Sequence, residues 1–197
     1  MGVLLDGRSL LRRTVDAALG WADAAVVVAP EPEGWESDPR ISFTLEDPPF
    51  GGPVAGIAAA VAVLAANTCG RRESRAVSAT RDPDRATCPS SQTLLLAGDL
   101  ASPHAVVRRL GDAEPGPDGV VLRDEEGWPQ YLAGRYRLPA LMAAIDALDG
   151  TRDLSVRRAL GGLDLAQVAA SHAVTQDLDT PEDLAEARGE SSAQGRG

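Results

Sequence analysis

Apolar Leu10, Leu11, Val15, Ala18 and Leu19 recur at spacings of three and four, which predicts a helix over Leu10 to Leu19. Ala24 to Val28 is instead a continuous apolar run stopped by Pro30, the pattern of a buried parallel strand. Ile41 to Leu45 alternates and ends before Pro48, predicting a second strand. Pro53, whose missing N–H costs nothing in a first turn, opens a helix to about Asn67. Between 70 and 91 the chain turns to Arg, Ser, Thr, Asp and Pro and has little to bury, which predicts a disordered insertion. Thr93 to Ala97 is the most strand-like run. Ser102-Pro103 then starts a helix to about Gly111. Val120 to Arg123 and Gln130 to Tyr136 read as an antiparallel pair around Asp124 to Gly127. Helices follow at Leu138 to Leu148 and Ser155 to Leu160, and Ala173 to Leu178 reads as a late strand. Thr180 caps a last helix opened by Pro181, and 189–197 reads as a flexible tail.

Strands alternating with helices, plus one late hairpin, predict an α/β domain over residues 1–188. The expected form is a three-layer α/β/α, Rossmann-like arrangement around a mostly parallel sheet. Such sheets bind ligands beyond the carboxyl ends of their strands. Asp47, Asp99 and Asp177 each follow a predicted strand, so all three are expected on one edge, where carboxylates could hold Mg²⁺.

Composition narrows the chemistry. The 197 residues carry 19 basic side chains, all arginine, against 29 acidic ones, for a net charge of -10. An acidic surface repels phosphate backbones, so nonspecific binding to nucleic acid or an anionic membrane is not expected. A nucleotide substrate would need a metal and backbone amides to offset that field. No run approaches the roughly 18 to 20 apolar residues of a membrane span, and the N-terminus lacks the parts of a signal peptide. Cys69 and Cys88 stand far apart without flanking histidines and read as free thiols of a cytoplasmic protein.

Three segments could carry chemistry. Asp99, just after the strongest strand, is placed either to coordinate a hard cation or to serve as a turn or cap residue. The turn Gly51-Gly52-Pro53-Val54-Ala55-Gly56 brings backbone and a helix N-terminus close to an anion or base edge. Equally, its glycines could serve only a tight turn and close packing. Asp177 and Asp179 could complete a metal pair or cap the helix at Pro181, with capping preferred for Asp179. His104 and His172 read as surface or packing residues, and Arg12 and Arg13 as a solvated face of the first helix.

Read in order, these segments resemble the molybdenum cofactor guanylyltransferase family, among the nucleotide-triphosphate transferases. Leu4 to Leu11 resembles the family's L-x-G-x-P-L-L run. Glu46-Asp47 with Gly52-Pro53-Val54-Ala55-Gly56-Ile57 resembles its D…G-P-L-A-G-I element, with Val54 in place of Leu. Ala97 to Pro103 stands where the family has a C-D-M-P metal element, with the proline displaced. Gln130 to Arg137 is similar to its Q-P-L-x-x-L-Y-R strand, with Tyr131 in place of the proline. Asp177 to Leu184 is close to its D-[IV]-[ND]-T-P-E-D-L ending.

The resemblance implies a nucleotide-diphospho-sugar transferase type of fold. It also implies Mg²⁺ on the nucleotide phosphates at Asp99, and guanosine contacts from Asp47, Gly51, Gly52, Pro53 and Gly56. The implied reaction joins GMP from GTP to a molybdopterin-type acceptor and releases pyrophosphate. The family's opening glycine-rich loop and its lysine have no counterpart in these residues. Met1 is therefore expected to be an internal methionine of a longer reading frame, or the chain a degenerate copy, with impaired activity in the form of these 197 residues. The competing expectations are a non-catalytic nucleotide-binding or regulatory domain of the same fold, and a transferase using CTP, a sugar phosphate or another acceptor.

Overall fold

In the computed structural model, residues 4–5, 8–75 and 92–171 are described. In chain order the elements are β1 (Leu4–Leu5), β2 (Arg8–Ser9), α1 (Leu10–Leu19), β3 (Ala25–Val28), β4 (Ile41–Thr44), α2 (Pro53–Arg75) and β5 (Gln92–Leu96). There follow α3 (Pro103–Asp112), β6 (Gly119–Arg123), β7 (Pro129–Arg137), α4 (Leu138–Asp146), α5 (Val156–Leu160) and β8 (Leu165–Ala169). The chain divides into two compact units. One gathers the described residues of Met1–Ala22, Leu94–Arg135 and Asp164–Gly197, the other those of Asp23–Thr93 and Tyr136–Leu163.

The first unit packs around Leu100, Val106, Leu110, Val120, Leu122, Ala133 and Ala170, with Leu94, Leu96 and Val168 against them. Helix α1 forms because its apolar positions fall on one side, and Ser9 accepts the Arg12 N–H at 3.2 Å to satisfy a first-turn donor. It packs against α3, whose Val106, Val107 and Leu110 are buried. The sheet runs β5-β7-β6-β8, with β6 and β8 parallel. A tight turn joins β6 to β7: Asp124 takes the Trp128 N–H at 2.7 Å and the Gln130 amide at 2.6 Å. The Arg135 side chain is buried, donates to the Ala113 carbonyl at 2.6 Å and lies 6.0 Å from the Trp21 ring centroid.

In the second unit β3 and β4 form a parallel pair, with Ala25 opposite Ile41 and Val28 opposite Thr44. Val54, Ile57 and Val61 recur at helical spacing on the buried side of α2. Burying each is worth about 1.5–3 kcal/mol, which outweighs the weak propensity of β-branched residues for helix.

Helices and strands in alternation, with parallel pairs within a mixed arrangement, fit an α/β nucleotidyltransferase domain. Several expectations need correction. The hydrogen bonding divides the described strands among separate ladders, β1-β2, β3-β4 and the four-stranded sheet, and β1-β2 is antiparallel. Among the described residues β3 pairs with β4 alone, so that ladder is not continued. Helix α2 runs past Asn67 to Arg75, taking up the start of the expected insertion. Polar residues are ordinary members of helices, so their arrival in the sequence did not mark its end. Strand β8 was not expected, because Leu-Ala-Gln-Val-Ala suits a helix better and becomes a strand by pairing with β6. The insertion beyond Arg75, the late strand at Ala173, the helix at Pro181, the tail, and with them Cys88, His172, Asp177 and Asp179, lie outside the described residues.

Candidate functional site

Two strand-to-helix loops carry the expected site residues. The first leaves β4 and enters α2. Leu45 and Asp47 are exposed, the Asp47–Pro48 peptide is cis, and the Glu46 carboxylate accepts the Phe50 N–H at 3.1 Å. Phe50 has φ 62°, in the left-handed region, where a non-glycine residue pays of order 1–3 kcal/mol.

The glycines that follow have different reasons to be there. At Gly51 a Cβ would stand 2.6 Å from that of Ala55, so any side chain collides with the first turn of α2. Its carbonyl accepts the Asp153 N–H at 2.9 Å. Gly52 has φ 85°, which glycine adopts freely. Pro53 is the first helical residue, and the Gly56 N–H returns to the Gly52 carbonyl at 3.2 Å. That leaves the N–H groups of Val54 and Ala55 without a carbonyl partner in a preceding helical turn, as at every helix start. A Cβ on Gly56 would touch Val28 at 3.4 Å, so this glycine serves packing against β3.

The second loop leaves β5 and enters α3. The Ala97 N–H bonds to the Leu132 carbonyl at 2.8 Å, and Leu100 is 2% exposed in the core of its unit. Between these anchors Gly98 and Asp99 form a turn, and Asp99 is half-buried. Its carboxylate has no hydrogen bond or ion pair among the described residues. Ser102 occupies the cap position of α3, yet its side chain makes no capping bond; the helix begins through Pro103 and the Ser102 carbonyl. Asp99 is therefore left free of the structural duties that compete with a metal.

Asp47 and Asp99 follow strands of different hydrogen-bonded ladders, one in each unit. Each belongs to its own loop. Among the described residues no three His, Cys, Asp or Glu side chains come together as a metal cluster. Asp177, expected as a metal ligand, lies outside the described residues.

His104 is exposed, at the first turn of α3. It lines a shallow groove of about 400 Å³ with Trp21, Arg108, Gly111 and Asp112, and none of the expected site residues line it. Arg12 is not merely solvated: its Nε reaches Asp16 at 2.9 Å. Arg13 departs further, with a buried Nη1 that has no partner among the described residues. The i to i+4 spacing of Arg12 and Asp16 gave notice of the pair, whereas burial of Arg13 left no local signal. Glu46 and Asp153 were overlooked as loop-shaping residues; their hydrogen bonds form with partners that only the folded loop supplies.

Among the described residues no helix is long and apolar enough to cross a membrane. Compared with protein families, residues 2–167 match the MobA-like NTP transferase domain. No curated protein matches the chain.

Proposed function

The chain belongs to the MobA-like NTP transferase domain family, and on that premise we propose that it binds GTP as its Mg²⁺ complex and serves guanylyl transfer to a molybdopterin-type acceptor. The observation that carries this reading is Asp99. A half-buried carboxylate with no partner among the described residues, fixed by the burial of Leu100 beside it, is a hard oxygen donor held ready for a hard cation. Mg²⁺ is held by one or two carboxylates together with substrate phosphates and waters, so a lone Asp99 fits it without an all-protein cage. Asp177 remains the proposed second carboxylate.

Bound there, the cation would supply charge neutralisation on the phosphates. The loop at Asp47, Gly51, Gly52, Pro53 and Gly56 is proposed to contact the guanosine part. Its close backbone approach comes from Gly51 and Gly52, and its unbonded N–H groups from the start of α2. In the reaction an oxygen of the acceptor phosphate attacks the α-phosphorus of GTP. The bond to the bridging oxygen breaks, and pyrophosphate leaves with the electron pair.

These 197 residues hold no lysine, so any side-chain cation they place on the phosphates is an arginine. A missing charged contact of about 1.5–3 kcal/mol slows transfer by roughly ten- to a hundredfold, and several together by more. That composition favours one second reading, a domain of the same fold that binds nucleotide without turning it over. Pyrophosphate release from Mg·GTP in the presence of molybdopterin decides between them. Release dependent on the acceptor supports transfer, and binding without release supports the second reading. Replacing GTP with CTP and ATP tests the base.

A further inference from the structure

We propose that the Phe50 ring is the stacking surface for the nucleobase, an inference that rests on the loop after β4 contacting the nucleoside. Phe50 is 87% exposed, more than any other large apolar side chain among the described residues. Single exposed apolar residues are ordinary; what sets this one apart is its backbone. It holds φ 62°, a conformation that suits glycine and that a bulky side chain rarely adopts. Both sides of the residue are fastened. Its own N–H is held by the Glu46 carboxylate at 3.1 Å, and the next carbonyl, of Gly51, by the Asp153 N–H at 2.9 Å.

Gly51 has no room for a Cβ beside Ala55, so the backbone next to the ring lies close against the first turn of α2. A glycine at position 50 would relieve the backbone at no cost in apolar packing. The chain instead keeps an aromatic ring there, braced outward, next to the turn that starts α2. The ring stands in a loop whose Leu45, Asp47, Pro48 and Pro49 are also exposed, and it offers a full π face. Every base has such a face, and stacking of one base on one aromatic ring changes affinity by about five- to a hundredfold.

Calorimetric titration of the full chain with Mg·GTP and with Mg·tripolyphosphate, which lacks a base, tests the assignment. For Phe50→Tyr, which keeps the π face, the Kd for GTP is expected to stay within about twofold of the unmodified chain. For Phe50→Gly it rises by about tenfold, while the Kd for tripolyphosphate is unchanged and the melting temperature does not fall. Equal GTP affinity of Phe50→Gly and the unmodified chain overturns the stacking role and leaves the proposed function standing. So does a loss of tripolyphosphate binding as large as the loss of GTP binding. Loss of self-association in Phe50→Gly with GTP affinity intact assigns the ring to a protein contact instead. An unmodified chain that binds neither ligand overturns the proposed function and this inference together.

Discussion

The two strand-to-helix loops reach the same end by opposite means. The loop after β4 is specified by its backbone: Gly51 because a Cβ would strike Ala55, Gly52 because φ is 85°, and Phe50 pinned through Glu46. The loop after β5 has no such devices. It is specified by burial, with Leu100 at 2% and Ala101 at 8% exposure drawing the chain into the core. Asp99, just before them, is then left at the surface with no partner among the described residues. Backbone specification shapes a surface that a ligand can approach closely, whereas burial specification positions one side chain and leaves it uncommitted. The first suits recognition of a nucleoside; the second suits a carboxylate awaiting a cation.

The largest effect is expected at Leu100. Leu100→Ala removes the anchor of the second loop and leaves a cavity, and is expected to cost about 2–5 kcal/mol in denaturant unfolding. A cost below about 1 kcal/mol would mean that burial does not hold this loop. Next comes Gly51→Ala, where overpacking against Ala55 should cost about 1–3 kcal/mol. Joining it with Ala55→Gly should return part of that loss in a double-mutant cycle; strictly additive effects would show that the 2.6 Å approach is not what excludes a side chain. Smaller again is Glu46→Ala, which frees the Phe50 N–H and is expected to cost about 0.5–1.5 kcal/mol while loosening the first loop alone. Hydrogen exchange at the Phe50 amide should rise in that variant, and an unchanged rate would remove Glu46 from the bracing.

Elements with a clean period were legible from the sequence. Helix α1 spans Leu10–Leu19, as its apolar spacing predicts, and α3 starts at Pro103, as the Ser-Pro pair predicts. Less legible were features decided by distant partners. The polar end of α2 reads as a linker because its residues carry no apolar period that would announce a helix. Strand β8 depends on β6, more than forty residues earlier in the chain. At the candidate site the glycine turn and Asp99 could be found by residue type. Which glycine is there for φ and which for space could not, since Gly51 and Gly52 are the same letter with different neighbours. Arg13 shows the same limit: on a helical wheel it faces solvent, and only packing buries its Nη1.

Asp99 is proposed to be free for a metal rather than committed to the fold. Asp99→Asn keeps the size of the side chain and removes its charge. Because the carboxylate has no partner among the described residues, stability should stay within about 0.5 kcal/mol of the unmodified chain. Titration of both proteins with Mg·GTP, in parallel with their unfolding curves, is the direct measurement. The predicted result is unchanged stability with binding of Mg·GTP lost. Full binding by a stable Asp99→Asn chain, or a marked fall in stability, would contradict it.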